Sequence, residues 1–357
     1  MRYITIDHLR PGHKLAHNLV VSNRTLLLRR GKELTPALIE KIGSQGYQGL
    51  YIDDELSEGL EITDVISSDL RRKTKNELQL LFLNVSTNTN GNNKKHFDKL
   101  KDLSKKIVEE VLRNRTTMVN LVDLRAYDDY TYSHSLNVAV LSIIIGVTLK
   151  LSNAMIQELA IGALIHDIGK MRVDKHILNK PGKLNHDEFQ HMKNHSQLGY
   201  EYLLNNADIS INSKIATLYH HERLDGTGYP EGLRGDSIPL FSRIISVADV
   251  YDALTSDRPY RKAMLPSDAI EYIMGGYGTK FDPEIVEIIT KKVAPYPIGT
   301  CVQLSTGEVG IVVKNYEETS LRPAVKLIED NRPTDKIIDL SNDRSCLNIT
   351  VKEIINL

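Results

Sequence analysis

The hydrophobic and polar positions change their period along the chain. The first 60 residues contain short β-rich runs and one stretch of helical spacing. The strand runs are RYITI, NLVVS, TLLLRRG and GLYID, and the helical stretch is Pro36–Gly43. Residues 1–60 therefore predict a small α/β accessory domain. Residues 61–96 predict a helix and a polar linker, which is rich in Asn over residues 84–95.

The middle of the chain predicts helices. Tyr132–Leu149 is apolar nearly all round, as expected of a central core helix, and Phe241–Leu254 is a further apolar candidate. Ser152 or Asn153 is placed to cap the helix that follows the first of these. Two more helix starts are marked by Asn185 with Glu188 and by Asp282 with Pro283. Residues 97–295 therefore predict an all-helical domain.

The pattern returns to strands after Pro297. The runs TCVQLS and EVGIVVK flank Thr306-Gly307, which predicts a hairpin, and AVKLI and KIIDL add strand candidates. Residues 296–357 therefore predict a small β-rich unit. The fold class expected for the whole chain is mainly α.

Composition narrows the class of protein. The chain is 41% apolar and 25% charged, as ordinary globular proteins are, and its net charge of -1 lacks the basic excess of DNA-binding proteins. Its two cysteines do not make a disulfide scaffold. The start has no apolar core of signal-peptide type, and Val138–Leu149 is too short to span a bilayer. We therefore expect a cytoplasmic protein with neither DNA nor membrane as a partner.

The histidines are concentrated in the helical region. Eight of the 12 fall between His134 and His221, and the strongest runs around them are IHDIGK and HHERLDGTGYP. Asp167 and Asp249 each follow an apolar stretch, where a carboxylate is costly unless it is paired or bound to a metal. Clustered histidines and carboxylates without a nearby cysteine favour iron, manganese or zinc.

Adjacent ligand pairs indicate more than one ion. Neighbouring helical residues point about 100° apart, so His166-Asp167 and His220-His221 suit two ions that share a bridge. Two such ions would activate a bridging hydroxide for attack on a phosphoester. Lys170 lies four residues after His166 and would share its face, beside an anionic substrate, if the helix continues.

Two motifs resemble those of a known family. HDIGK at 166–170 and HHERLDGTGYP at 220–230 are similar to the signatures of the HD-GYP family, a branch of the HD phosphohydrolase superfamily. The match runs from about Tyr130 to Arg261 and includes ILNKPGKL between the motifs. It implies an all-helical HD-type catalytic domain that hydrolyses cyclic di-GMP to the linear dinucleotide, and sometimes on to GMP, in bacterial signalling. Cyclic GMP-AMP is left open as a substrate.

The resemblance also implies residue roles. Asp167 would bridge two metals and Lys170 would contact the scissile phosphate. Family members with three metals carry a Glu where this chain has Tyr130, so two divalent ions, iron or manganese, are favoured over three. The implied metal ligands are His134, His166, Asp167, His195, His220, His221 and Asp249. The implied substrate-binding residues are Lys170, Arg258, Arg261, Gly228, Tyr229 and Pro230.

Several alternatives stay open. Asp252 fits either a helix surface or a partner that supports the metal site. Another HD-type nucleotide phosphohydrolase, or a module that binds a nucleotide or partner without turnover, would use much of the same sequence. The resemblance leaves room for a protein partner at the Gly228–Pro230 loop or the N-terminal domain, and for a homodimer. By contrast, His176, His186 and His191 do not match the pattern and are expected at the surface.

Overall fold

The fold is taken from a computed structural model, which describes most of the chain. The described residues are 1–20, 26–44, 47, 49–60, 62–87, 93–115, 117–119, 130–178, 180, 182–205, 208–256 and 263–357. Arg258 and Arg261 lie outside them. The chain forms two compact units. The first is Met1–Asp64, Thr117–Tyr130 and Thr290–Leu357, and the second is Val65–Thr116 and Thr131–Ile289.

The N-terminal part of the first unit is a small α/β fold. Its elements are β1 (Arg2–Thr5), β2 (Lys14–Leu15), β3 (Leu19–Val20), β4 (Leu26–Leu28), α1 (Pro36–Ser44) and β5 (Gly49–Asp53). β5 pairs antiparallel with β1 and β2 on either side, and β3 pairs with β4. Alternate strand residues such as Ile4 and Leu50 meet Ile42 of α1 in one core. The elements other than β2 follow the predicted strand and helix runs, and no predicted run covers β2. Residues 21–25, which include parts of two predicted strand runs, lie outside the described residues.

The C-terminal part of the first unit is an antiparallel sheet. Its strands are β6 (Cys301–Leu304), β7 (Val309–Lys314), β8 (Ala324–Glu329), β9 (Arg332–Asp339) and β10 (Val351–Ile354), in the order β10-β6-β7-β8-β9. The predicted hairpin around Thr306-Gly307 joins β6 to β7. Gly307 has a φ of 92°, a conformation that glycine adopts without strain.

The two ends of the chain share a core within the first unit. Leu56 packs in one cluster with Cys301, Ile311 and Ile328. Arg2 is buried, and its Nε lies 2.8 Å from Asp54 Oδ2 while its Nη2 donates to the carbonyl oxygen of Leu357 at 3.0 Å. The sequence predicts residues 1–60 and 296–357 as two separate domains. In the structure they belong to one unit. Contacts between residues so far apart in sequence leave no periodic pattern.

The second unit is built from helices. They are α2 (Ser68–Ser86), α3 (Asn93–Arg113), α4 (Tyr130–Thr148), α5 (Asn153–Ile165), α6 (Lys175–Leu178), α7 (His186–Lys193), α8 (His195–Leu204), α9 (Ile211–Tyr219), α10 (Leu240–Thr255), α11 (Pro266–Met274) and α12 (Pro283–Lys292), which continues beyond the unit. α9 packs against α5, α8 and α10, while α3 packs against α2 and α5. The mainly α class expected from the sequence is confirmed.

Capping follows the sequence closely. The side chain of Ser152 accepts the Met155 N–H at the start of α5, which decides between the two predicted caps. Asn185 and Glu188 form the expected capping box of α7.

The polar segment before the helical block is shorter than predicted. α2 continues to Ser86 and α3 begins at Asn93, because Val85 and Phe97 bury an apolar face at these ends. Leu78 and Phe82 of α2 are also fully buried, so the helical unit begins at Val65 rather than near residue 97.

The central apolar helix is a core helix. Within the described residues, Thr131–Thr148 is long and apolar enough to cross a membrane, but 78% of this window is buried inside the protein. Such burial is typical of the central helix of a globular unit.

We expect Arg2→Met to destabilise the first unit by about 2 kcal/mol and to lower its Tm by about 4–8 °C, because it removes charged hydrogen bonds in a buried position. Thermal unfolding measures the change. Arg30→Met is the matched control, since Arg30 is 74% exposed and lies 3.9 Å from Asp53. Equal Tm values for the two variants would contradict the expectation.

Candidate metal centre

The predicted ligands lie at helix ends and on two buried helices. His134 is on α4 and Asp249 is on α10. His166 ends α5, and Asp167 precedes a 3-10 helix over Ile168–Arg172. The remaining ligands sit where α8 begins and α9 ends: His195, His220 and His221. Helix ends allow residues that are adjacent in sequence to point to different sides of one small space.

The structure brings all seven of these side chains together. One group, Asp167 with His195, His220 and His221, has its ligand atoms within 4.8 Å of one another, and a second group joins Asp167 to His134 and His166. Asp167 belongs to both groups. Its Oδ1 lies 3.4 Å from His195 Nε2, while its Oδ2 lies 3.4 Å from His166 Nε2. Asp249 completes the cluster, at 3.1 Å from His134 and 3.8 Å from His221.

Hydrogen bonds select the ring nitrogen that faces the centre. His166, His195 and His220 each contact the backbone carbonyl three residues earlier through Nδ1, at 2.7–2.8 Å. A carbonyl only accepts, so these Nδ1 atoms carry the proton and Nε2 keeps a free lone pair. This arrangement is the one that histidine metal ligands adopt.

Two buried polar atoms fit a cation. Within the described residues, His166 Nε2 and Asp167 Oδ1 are buried and have no hydrogen-bond partner. Buried acceptors of this kind are rare in folded proteins because they lose their water without compensation. The donor set of imidazoles and carboxylates therefore fits divalent metal ions, as expected for an HD domain.

Electrostatics also suits metal binding. Burial lowers the pKa of His195 to about 4 and, with the neighbouring histidines, that of His220 to about 3. Burial would raise the pKa of Asp167, but Lys170 and His166 hold it well below its usual range. Burial would lower the pKa of His134, but hydrogen bonds to Asp249 and Asp252 raise it to about 9. At neutral pH, His195 and His220 are therefore neutral and Asp167 is ionised, which are the forms in which these groups bind a cation.

Lys170 reaches the centre by a different route from the one that helical spacing predicted. The α-helix ends at Ile165, so Lys170 does not continue the face of His166. The tighter 3-10 turn instead directs its Nζ to Asp167 Oδ2, at 2.5 Å. The predicted placement of Lys170 requires the helix to continue past His166, and it does not. The ammonium group of Lys170 nevertheless lies beside the carboxylate of Asp167, which both ligand groups share.

A glycine allows this turn to pack. A Cβ on Gly169 would lie 1.9 Å from the His195 carbonyl oxygen and 2.5 Å from the Gly199 nitrogen. The 3-10 helix therefore approaches α8 so closely that only glycine fits at position 169. This close contact lies where His166 and Asp167 meet His195.

The Gly228–Pro230 loop lies against the ligands. The ring of Tyr229 stacks on His221 with centroids 4.6 Å apart, while Pro230 is exposed. A Cβ on Gly228 would lie 2.4 Å from the Glu222 Cα, so the close approach of the loop requires glycine. The loop is thus positioned at the edge of the centre.

Glu222 is a residue that sequence reasoning missed. It is buried, and its carboxylate accepts the backbone N–H groups of Glu231, Gly232 and Leu233 at 2.8–3.0 Å. These bonds hold the chain immediately after the signature loop. The available signal was an acidic residue directly after His220-His221, close to the apolar residues Leu218 and Leu224.

Asp252 supports the centre rather than facing solvent. It is buried on α10, and its Oδ2 lies 2.7 Å from His134 Nδ1. The structure decides the open choice in favour of a supporting partner. The three histidines outside the pattern are exposed, as expected: His176, His186 and His191.

Comparison with known proteins agrees with this architecture. The HD domain family matches residues 106–285, about half of the chain. The chain belongs to the HD domain family. Residues 301–355, which include β6 to β10, match the KOW domain associated with HD domains. The HD match confirms the resemblance drawn from the two motifs at the level of the superfamily.

Two similar proteins are named as phosphodiesterases of cyclic dinucleotides. The cyclic di-GMP phosphodiesterase PA4108 of Pseudomonas aeruginosa is 42% identical over 63% of this chain and 54% of its own length. The 3'3'-cGAMP-specific phosphodiesterase 3 of Vibrio cholerae is 39% identical over 49% of this chain and 38% of its own. The chain spans about half or less of these relatives. The solved HDG"Y"P protein Bd1817 of Bdellovibrio bacteriovorus shares the fold, with a TM-score of 0.50 at 18% identity over 80% of this chain and 97% of its own.

We expect Gly169→Ala to destabilise the second unit by about 1–3 kcal/mol, because the added methyl group overpacks the contact with α8, and to reduce bound metal. Metal analysis and thermal unfolding measure both effects. Gly275→Ala is the matched control, since its Cβ would meet no atom closer than 3.4 Å. Metal content equal to that of the control would show that the approach at Gly169 does not shape the centre.

Proposed function

We propose that this protein is a metal-dependent phosphodiesterase that hydrolyses a cyclic dinucleotide. The observation that carries the proposal is the shared carboxylate. Asp167 belongs to two groups of potential ligands, with one oxygen near His195 and the other near His166. A carboxylate so placed suits a pair of ions a few ångströms apart, the arrangement used in many phosphoester hydrolases.

The proposed cofactors are two divalent ions, iron or manganese. Imidazole and carboxylate donors suit these metals, and no thiolate is present among the ligands. When bound, the ions would supply electrophilic activation of the phosphodiester and of water. The second group of ligands would hold one ion and the first group the other, with Asp249 placed to contribute beside His134 and His221.

The protein's own residues supply substrate contacts. Lys170 is half-buried beside Asp167, so its cation is placed to hold a phosphate oxygen next to the ligands. Tyr229 on His221 gives the edge of the centre an aromatic surface suited to a purine. Gly228 and Pro230 shape that loop, and we assign Arg258 and Arg261 to phosphate or base contacts on the family resemblance alone.

The substrate class is a cyclic dinucleotide, and cyclic di-GMP is the first candidate. Its support is the name of the Pseudomonas aeruginosa relative, while the Vibrio cholerae relative named for 3'3'-cGAMP keeps cyclic GMP-AMP as the second. We propose a cytoplasmic signalling enzyme. A protein partner would bind at the Gly228–Pro230 loop or the N-terminal domain, or the chain would form a homodimer.

The alternatives are separated by one experiment. Protein purified without oxygen is analysed for metal and incubated with cyclic di-GMP and cyclic GMP-AMP, and the products are separated by chromatography. Two metals per chain and a linear dinucleotide product support the proposal. Metal without turnover of either substrate would favour another nucleotide phosphohydrolase or a binding module.

We expect Asp167→Ala to abolish turnover and to lower bound metal, because both ligand groups lose their common member. Lys170→Ala should reduce turnover by about 10²–10³-fold with metal content near normal, since it removes a charge that stabilises the phosphate rather than a ligand. Metal analysis and initial rates test both expectations. His191→Ala is the control, as this exposed histidine lies outside the cluster. Equal metal loss in both variants would contradict the role given to Lys170.

A further inference from the structure

A chain of hydrogen bonds connects α2 to the metal centre. Arg71 Nη1 donates to Asn137 Oδ1 at 2.7 Å, and Asn137 Nδ2 donates to Asp252 Oδ1 at 2.9 Å. The other oxygen of Asp252 lies 2.7 Å from His134 Nδ1. Arg71 precedes residues 106–285, which match the HD domain family. This series of hydrogen bonds therefore starts outside the matched residues and ends on His134, a predicted metal ligand.

Donor and acceptor chemistry fixes the direction of each hydrogen bond in this series. A guanidinium only donates hydrogen bonds and a carboxylate only accepts them. The amide of Asn137 therefore presents its oxygen to Arg71 and its nitrogen to Asp252. Asp252 in turn accepts the Nδ1 proton of His134, which leaves Nε2 directed at the centre, 3.1 Å from Asp249 Oδ1.

The hydrogen bonds that lead to His134 are buried, which strengthens them. Asn137, Asp252 and His134 are each at most 1% exposed, so their hydrogen bonds lie in a poorly screened interior. Asp252 is a buried carboxylate, which needs hydrogen-bond donors to replace its lost water, and Asn137 and His134 supply two of them. Ser256 Oγ adds a further contact to Asp252 at 3.3 Å.

Packing gives α2 a second connection to the centre. α2 contacts the 3-10 helix over Ile168–Arg172, which carries Lys170 and follows Asp167 directly. The helix that carries Arg71 therefore reaches the ligands both through hydrogen bonds to α4 and α10 and through contact with this turn. Neither connection depends on the identity of the substrate.

We propose that Arg71 is a positioning residue of the metal centre, which orients His134 through Asn137 and Asp252 and so extends the supporting shell to the segment before the HD domain. The proposal rests on the proposed function only in taking His134 as a metal ligand. Outer partners of metal-binding histidines change metal affinity by about 10–100-fold when they are replaced.

The test is Co²⁺ binding to the full chain after its metal has been removed with a chelator. Arg71→Met should raise the Kd for Co²⁺ by about tenfold, the lower end of the range for outer partners, and should alter the visible absorption of bound Co²⁺. Arg71→Lys, which keeps a donor, should restore part of the affinity. Arg72→Met is the matched control, because Arg72 is exposed and pairs with Asp69 on the same helix; it should bind as the unmodified protein does.

A double-mutant cycle separates positioning from general stability. In the Asp252→Ala background, Arg71→Met should change Co²⁺ affinity no further, because the connection is already broken. Additive losses, or an affinity of folded Arg71→Met equal to that of Arg72→Met, would overturn the proposal. If Arg71→Met does not fold, Arg71→Gln replaces it, since this shorter side chain does not span the same distance, and an unchanged Co²⁺ Kd would overturn the proposal equally.

Failure of the proposed function gives a different result. If the unmodified protein binds Co²⁺ and the Arg71 variants show the expected differences, but no cyclic dinucleotide is hydrolysed, the enzymatic proposal alone fails. If the unmodified protein binds no Co²⁺, both proposals are overturned.

Discussion

The buried carboxylate of Asp167 is the constraint around which the helical unit is arranged. A negative charge with 1% exposure is stable only if cations or strong donors surround it. Lys170 supplies one cation from the following turn. Imidazoles from α4, α5, α8 and the end of α9 converge on the same carboxylate, and together with it they fit divalent metal ions. Each of these elements must therefore end, or present one face, at the same point.

Close backbone contact makes that convergence possible. Gly169 lets the turn after Asp167 touch the start of α8, and Gly228 lets the signature loop lie on His221. The i−3 carbonyl bonds then fix three of the rings without help from other side chains. The local geometry of these three ligands is set by the helical turn that precedes each of them, whereas His134 is oriented by Asp252 from another helix.

Support for the centre extends beyond the helices that carry its ligands. Glu222 secures the chain after the signature loop, and Asp252 with Asn137 connects His134 to α2. The first unit has a different organisation, because residues near the two ends of the chain share a core around Leu56 and Cys301. Its C-terminal sheet matches a domain associated with HD domains.

The sequence by itself determined what depends on local pattern. Helical spacing located α4, α5 and α10, and capping residues marked the start of α7. The resemblance to a known family named seven side chains that the structure places together. Only the tertiary structure decided what depends on distant contacts. Lys170 meets Asp167 through a 3-10 turn that a helical period does not encode, and Glu222 and Arg71 act on partners that no spacing reveals. Burial and pairing between residues far apart in sequence arise only when the helices pack.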